Sequence, residues 1–257
     1  GFRTYWLSTQ SPLGPYDSSI AVYAAEAHET RYINPVDYKK AGVLDGALLK
    51  PFDEILARGE KKVFVVLHTL GGHFNYADRY PDEFDVFKPS LKGVRRPSLH
   101  TLELKRELNN SYDNSVLYVD WFLAEVIGRL AATDALSTML YMADHGENLF
   151  DGDCGQSGHG RGNEYDFRVA ALWWSSQHYA AAFPEKVAAA RLRVDRPITS
   201  GTVFHSMLDV ANIHYPEEDL RLSVFSPTWQ APARITQNGI DFDHATREPI
   251  CKKLLPM

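Results

Sequence analysis

Four apolar runs along the chain end in polar residues: Thr4 to Gln10, Lys62 to His68, Ser137 to His145 and Val169 to Ser175. The second contains Val63-Phe64-Val65-Val66-Leu67, rich in β-branched residues and free of charge. Such a run suits a strand covered on both faces, as in a parallel sheet. Helical patterns lie between the runs. Asp17 to Thr30 is alanine-rich, with Asp17 or Ser18 placed to cap its start. Asp45 to Arg58 spaces Leu48, Leu49, Phe52, Ile55 and Leu56 at helical intervals. Asn109 to Ala132 puts Tyr112, Val116, Val119, Phe122, Leu123, Val126, Ile127 and Leu130 on one stripe. Ser176 to Ala190 and Ser200 to Ala211 are further helical candidates. Strands alternating with helices predict an α/β sandwich. Residues 74–108 hold Pro81, Pro89 and Pro97 and show no sustained period. They read as a long excursion over the sheet, a type of segment that often carries function.

Composition narrows the function classes. The 257 residues are 44% hydrophobic and 23% charged, which is ordinary for a globular protein. A chain of this length buries a sizeable core without disulfide staples. The formal charge of −6 argues against a nucleic-acid partner, which needs a basic face. An anionic substrate stays open, because a bound metal inverts the local field. No apolar run reaches the roughly 18 residues that span a bilayer. Cys154 and Cys251 are either a disulfide or two thiols, and their number alone does not decide.

Ligands of open α/β sheets bind beyond the carboxyl ends of the strands. Two strand ends here are rich in chemistry: His68-Thr69-Leu70-Gly71-Gly72-His73 and Ala143-Asp144-His145-Gly146-Glu147. Gly158-His159-Gly160 follows on a loop. Asp144 and His145 supply a hard oxygen and an imidazole nitrogen, a mixture that favours zinc or manganese over calcium. The flanking glycines let the backbone turn so that both side chains reach one pocket. His73 and His159 then hold a second metal or the substrate's charged oxygens. His68, Glu147 and Gln10 are further candidates. The bland readings are that His68 satisfies a strand end and that Glu147 is a surface charge. His178, His205 and His214 sit in helical or apolar settings and read as structural.

Asp144-His145-Gly146-Glu147-Asn148-Leu149 with Gly158-His159-Gly160 resembles the alkaline-phosphatase/sulfatase superfamily. More narrowly, the chain is similar to the periplasmic catalytic domain of bacterial phosphoethanolamine transferases. His68 to His73, Asp78 to Pro81 and Phe84 to Pro89 resemble that family's histidine loop. Asn110 to Asp120 resembles its long helix, and Phe204 to Ala211 a late helix. The likeness runs in order from Gly1 to about Ser226.

The resemblance implies an alkaline-phosphatase-like, mainly parallel sheet between helices, as a single catalytic domain over residues 1–257. It implies zinc, ahead of manganese, held by Asp144 and His145. The reaction it implies moves phosphoethanolamine from phosphatidylethanolamine, through a phosphothreonine, to lipid A or a core sugar. The setting is the periplasmic face of the inner membrane. The family's metal-binding glutamate and nucleophilic threonine precede the segment matching Gly1-Phe2-Arg3-Thr4-Tyr5-Trp6. The expectation is therefore a domain without its N-terminal strand and membrane part, with the nucleophile elsewhere. A sulfatase or phosphodiesterase of the same superfamily, and a folded fragment without catalysis, are the competing readings.

Overall fold

The computed structural model describes residues 1–15, 17–34 and 39–256. It divides into two compact units, Gly1–Arg129 and Leu130–Met257.

The first unit is built on β1 (Arg3–Ser8), α1 (Asp17–Ala24), β2 (Glu29–Tyr32), α2 (Leu49–Leu56), β3 (Val63–His68) and α3 (Lys105–Ala131). Its three strands form a parallel sheet in the order β2-β1-β3. Tyr5 and Leu7 of β1 are buried in its core. The helix expected through Thr30 stops at Ala24, where the Thr30 hydroxyl donates to the Ala24 carbonyl. The chain then adds the edge strand β2. Its Glu29 pairs with Arg31 and Arg58, and charge of this kind keeps an edge from pairing with other chains.

The segment from Asp45 opens with a tight 3-10 turn, Asp45–Leu48, before α2 buries Leu49, Phe52 and Ile55. In α3 the buried stripe is Leu108, Ser111, Asn114, Ser115, Tyr118, Phe122 and Val126. Val116, placed on the expected apolar stripe, is exposed. The reason is the Pro-rich excursion, which lies on the polar half of this helix. Asn114 Oδ1 accepts from the Val86 and Phe87 N–H groups, and its amide donates to Asp85 and the Phe87 carbonyl. Ser111 Oγ accepts from Leu91 N–H, and Asn110 donates to the Pro89 carbonyl. The excursion is thus fixed by side-chain hydrogen bonds rather than by a period of its own.

The second unit contains β4 (Thr138–Met142), β5 (Asn148–Leu149), β6 (Ser157–Gly158), α4 (Glu164–Phe167) and β7 (Ala171–Ser175). It continues with α5 (Gln177–Ala182), α6 (Pro184–Arg191), α7 (Val203–Val210), β8 (Thr246–Arg247) and β9 (Leu254–Leu255). Strands β4 and β7 pair antiparallel. The helix expected from Ser176 is two helices, because Pro184 cannot continue α5 and instead opens α6. One core gathers Tyr179, Val210 and Phe225. A second holds Phe242, Ala245 and Leu254, so the segment after Ser226 is folded structure. Cys154 and Cys251 form a disulfide, which decides the pairing that composition left open.

Candidate metal and strand-end sites

In the second unit, backbone geometry brings the metal candidates together. β5 and β6 form a short antiparallel ladder, Asn148 opposite Gly158 and Leu149 opposite Ser157. Glu147 immediately precedes the ladder and His159 immediately follows it, so the two side chains meet. His159 Nδ1 lies 3.0 Å from Glu147 Oε2. The His145 and His159 rings lie 3.9 Å apart between centroids, tilted by 34°. One potential ligand atom from each of His145, Glu147 and His159 falls within 4.8 Å of the others.

The turn at Asp144-His145-Gly146 needs its glycine. A Cβ on Gly146 would stand 1.9 Å from the Tyr165 carbonyl oxygen, inside any van der Waals contact. The Gly146 N–H donates to the Asp166 carbonyl. Asp166 Oδ2 in turn accepts the N–H groups of Arg161 and Gly162 and holds the turn just beyond His159. The Cys154–Cys251 disulfide fastens the loop between β5 and β6 to the C-terminal segment.

These residues fit a zinc ion. A carboxylate and two imidazoles are three protein ligands, the number typical of a catalytic zinc site with an open position. Glu147 Oε1 is buried and has no hydrogen-bond partner. A buried carboxylate oxygen left unpaired costs free energy, and a cation removes that cost. The local field also favours positive charge. The hydrogen bond to Glu147 raises the His159 pKa against the opposing effect of burial, and the charges of Glu147, Asp166 and Asp144 add to it. His145 Nδ1 faces the Gly146 carbonyl at 2.9 Å, so Nδ1 donates and Nε2 keeps its lone pair for a metal.

Asp144 stands apart from this trio. Its side chain is 91% exposed, and Oδ2 lies 3.8 Å from His145 Nε2. The structure therefore places His145 between two carboxylates, Asp144 at the surface and Glu147 inside. The Glu147 side chain is only 7% exposed, which removes the surface-charge reading of that residue.

In the first unit, the ends of β1 and β3 carry Gln10, His68 and His73. Ser8 and His68 are register partners, and Gln10 Nε2 donates to the Thr69 carbonyl at 2.7 Å. Asp45, which the residue pattern did not single out, is the anchor of the histidine loop. Its carboxylate accepts from Leu70 N–H at 3.0 Å, Gly71 N–H at 2.9 Å and the Thr9 hydroxyl. Gly71 takes a positive φ of 54°, which glycine adopts without strain. Arg79 is buried, and burial lowers its pKa; its Nε donates to the His73 carbonyl. Asp45 carries no sequence signal of its own, because it acts on the backbone of Leu70 and Gly71, far along the chain.

Residues 1–213 match the sulfatase family model. The chain belongs to the sulfatase family. It is 29% identical to the phosphoethanolamine transferase EptC of Escherichia coli strain RS218 over 253 residues, 95% of this chain and 43% of that protein. It is 35% identical to the Kdo(2)-lipid A phosphoethanolamine 7''-transferase of Escherichia coli K12 over 212 residues, 76% of this chain and 35% of that protein. The chain therefore spans less than half the length of these curated relatives. The C-terminal periplasmic domain of EptC from Escherichia coli, crystallised in complex with zinc, superposes with a TM-score of 0.81. The identity is 27%, covering 95% of this chain and 69% of that one. The EptC periplasmic domain of Campylobacter jejuni shares the fold at a TM-score of 0.71 and 23% identity, covering 90% of this chain and 69% of that one. The α/β architecture expected from the alternating pattern is thus that of EptC periplasmic domains.

Proposed function

We propose that this chain is the catalytic part of a zinc-dependent phosphoethanolamine transferase. The observation that carries the reading is the His145–Glu147–His159 cluster, with its unpartnered buried oxygen and Asp144 beside it. It occurs in a sulfatase-family chain whose relatives bear that name. Asp144, His145, Glu147 and His159 hold the metal, and His73 faces the substrate phosphate or a second cation. His68 and Gln10 line the strand ends. Zinc, when bound, supplies Lewis-acid polarisation of a phosphoryl oxygen. The protein's own contribution is to fix the imidazole tautomers and to keep Glu147 desolvated.

The donor in this reading is phosphatidylethanolamine, and the acceptor is lipid A or a lipopolysaccharide-core sugar. The group passes through a phosphothreonine in this reading. We place residues 1–257 in one sulfatase-like catalytic domain at the periplasmic face of the inner membrane. The Cys154–Cys251 disulfide supports an oxidising compartment. No helix among the described residues is long and apolar enough to cross a membrane.

The test uses the full-length protein with zinc and a fluorescent phosphatidylethanolamine. Diacylglycerol release with transfer to lipid A is expected. His145→Ala is expected to abolish both the turnover and the zinc bound at this site. Unchanged zinc content in His145→Ala overturns the metal assignment. Hydrolysis of sulfate esters without phosphoethanolamine transfer overturns the substrate assignment.

A further inference from the structure

Asp166 touches both turns that carry the candidate ligands. Its backbone carbonyl accepts the Gly146 N–H at 2.8 Å, between His145 and Glu147. Its carboxylate reaches the other turn, just after His159. There Oδ2 accepts the N–H groups of Arg161 at 2.7 Å, Gly162 at 2.6 Å and Asn163 at 3.4 Å. Gly162 has a positive φ of 73°, and the successive N–H groups around it converge as in the backbone nests that hold anions. Here the anion is the chain's own Asp166, which is buried.

The platform under Asp166 is α4. Asn163 caps that helix by accepting from the Tyr165 and Asp166 N–H groups, and the Asp166 side chain reaches back to the Asn163 N–H. This reciprocal pair fixes the carboxylate of Asp166 relative to its carbonyl. The C-terminal segment then holds the platform. Leu254 N–H donates to the Gly162 carbonyl at 2.9 Å, and Glu164 N–H to the Lys252 carbonyl at 3.0 Å. Arg247 Nε donates to Glu164 Oε2 at 2.9 Å. That segment lies beyond residues 1–213, the part that matches the sulfatase family model.

We propose that Asp166 is a positioning residue that sets the spacing of His145 and His159 for a metal ion. One residue ties the turn after His145 to the turn after His159, so both imidazoles are held beside Glu147 before an ion arrives. A site assembled in advance needs no ordering of its loops on binding, and its affinity is higher for that reason. Asp166 is not one of the three residues whose ligand atoms converge; it acts through backbone groups. The inference rests on the metal reading of His145, Glu147 and His159. Asp166 also acts on His159 through its charge, so a test must separate reach from charge.

Zinc titrations of the metal-free full-length protein, against a chromophoric chelator and well below its unfolding transition, make that separation with three variants. Asp166→Ala removes the carboxylate and is expected to raise the zinc dissociation constant roughly tenfold or more. Asp166→Asn keeps an oxygen in the place of Oδ2 and puts nitrogen where Oδ1 has no hydrogen-bond partner to lose. Its constant is expected to stay close to wild type. Asp166→Glu keeps the charge but moves the carboxylate one methylene outward, and is expected to bind zinc more weakly than Asp166→Asn. A merely structural role would lower the unfolding temperature of Asp166→Ala and leave its constant unchanged, and that result overturns the proposal. Should Asp166→Ala not fold, the other two still decide: weaker zinc binding in Asp166→Asn than in Asp166→Glu makes charge the cause and overturns the positioning role. Amide exchange of the metal-free protein reads the clamp without zinc. Asp166→Ala is expected to speed exchange at Gly146 as well as at Arg161 and Gly162, although the Gly146 acceptor is a backbone carbonyl. Unchanged protection of Gly146 overturns the tie between the two turns. A wild-type protein that binds no zinc at His145, Glu147 and His159, with that exchange coupling intact, overturns the metal reading and leaves the tie standing.

Discussion

A carboxylate oxygen held away from water without a partner costs about 1–3 kcal/mol, more when charged. Glu147 Oε1 is in that position, while Oε2 engages His159. The fold tolerates the arrangement because the turn at Gly146 and the ladder at Asn148 leave Glu147 nowhere else to point. In the metal-free protein, Glu147 stabilises protonated His159 and raises its pKa above the usual 6.5. This contribution is fully present below the unfolded pKa and is lost as pH rises through the higher folded value. Glu147→Gln is therefore expected to bring the His159 midpoint back toward 6.5 in an NMR titration of metal-free protein. It is also expected to weaken zinc binding measured by calorimetry. A wild-type midpoint below 6.5 would contradict the assignment. Asp144, His145 and His159 stood out as candidates in sequence because they sit beside glycines at strand and loop ends. Glu147 was ambiguous there, since a charge beside a turn is usually solvated and only burial shows otherwise.

At the scale of elements, α3 explains the motif Asn110-Ser111-Tyr112-Asp113-Asn114. Its Asn110, Ser111 and Asn114 tie down a stretch that has no secondary structure to satisfy its backbone. Asn114 alone bonds five groups: the Val86 and Phe87 N–H groups, the Phe87 carbonyl, Asp85 and the Tyr80 hydroxyl. Asn114→Ala strands two backbone donors in a dry environment. The expected loss is about 3 kcal/mol in urea unfolding, with a folded far-UV spectrum retained. A loss within about 0.5 kcal/mol, the range of an ordinary surface change, would show that water replaces the amide. The helix was readable from its period, and so were Phe122 and Val126 on its buried face, but the buried Ser111 and Asn114 were not. An apolar stripe marks the inward side only where the covering element is apolar, and here that element offers backbone.

For the whole molecule, the Cys154–Cys251 bond closes a sequence separation of 97 residues. In the chain-entropy model, a loop near that length restricts the unfolded chain by about 4–5 kcal/mol. Cys251→Ser is expected to lower stability by that order and to loosen the loop that joins the strands next to Glu147 and His159. Calorimetry with and without reductant measures both, and reductant should change nothing in the variant. Sequence by itself determined the alternation of strands and helices, the family, and the strand ends that carry the candidate histidines. Those are local properties: period, glycine placement and residue type. Only tertiary structure decided the disulfide, the end of α1 and the edge strand β2. It alone showed Glu147 inside with its partnerless oxygen, and Asp45 behind the histidine loop. Most of these depend on groups far apart in the chain being held within hydrogen-bonding or covalent distance, and no local pattern records such distances.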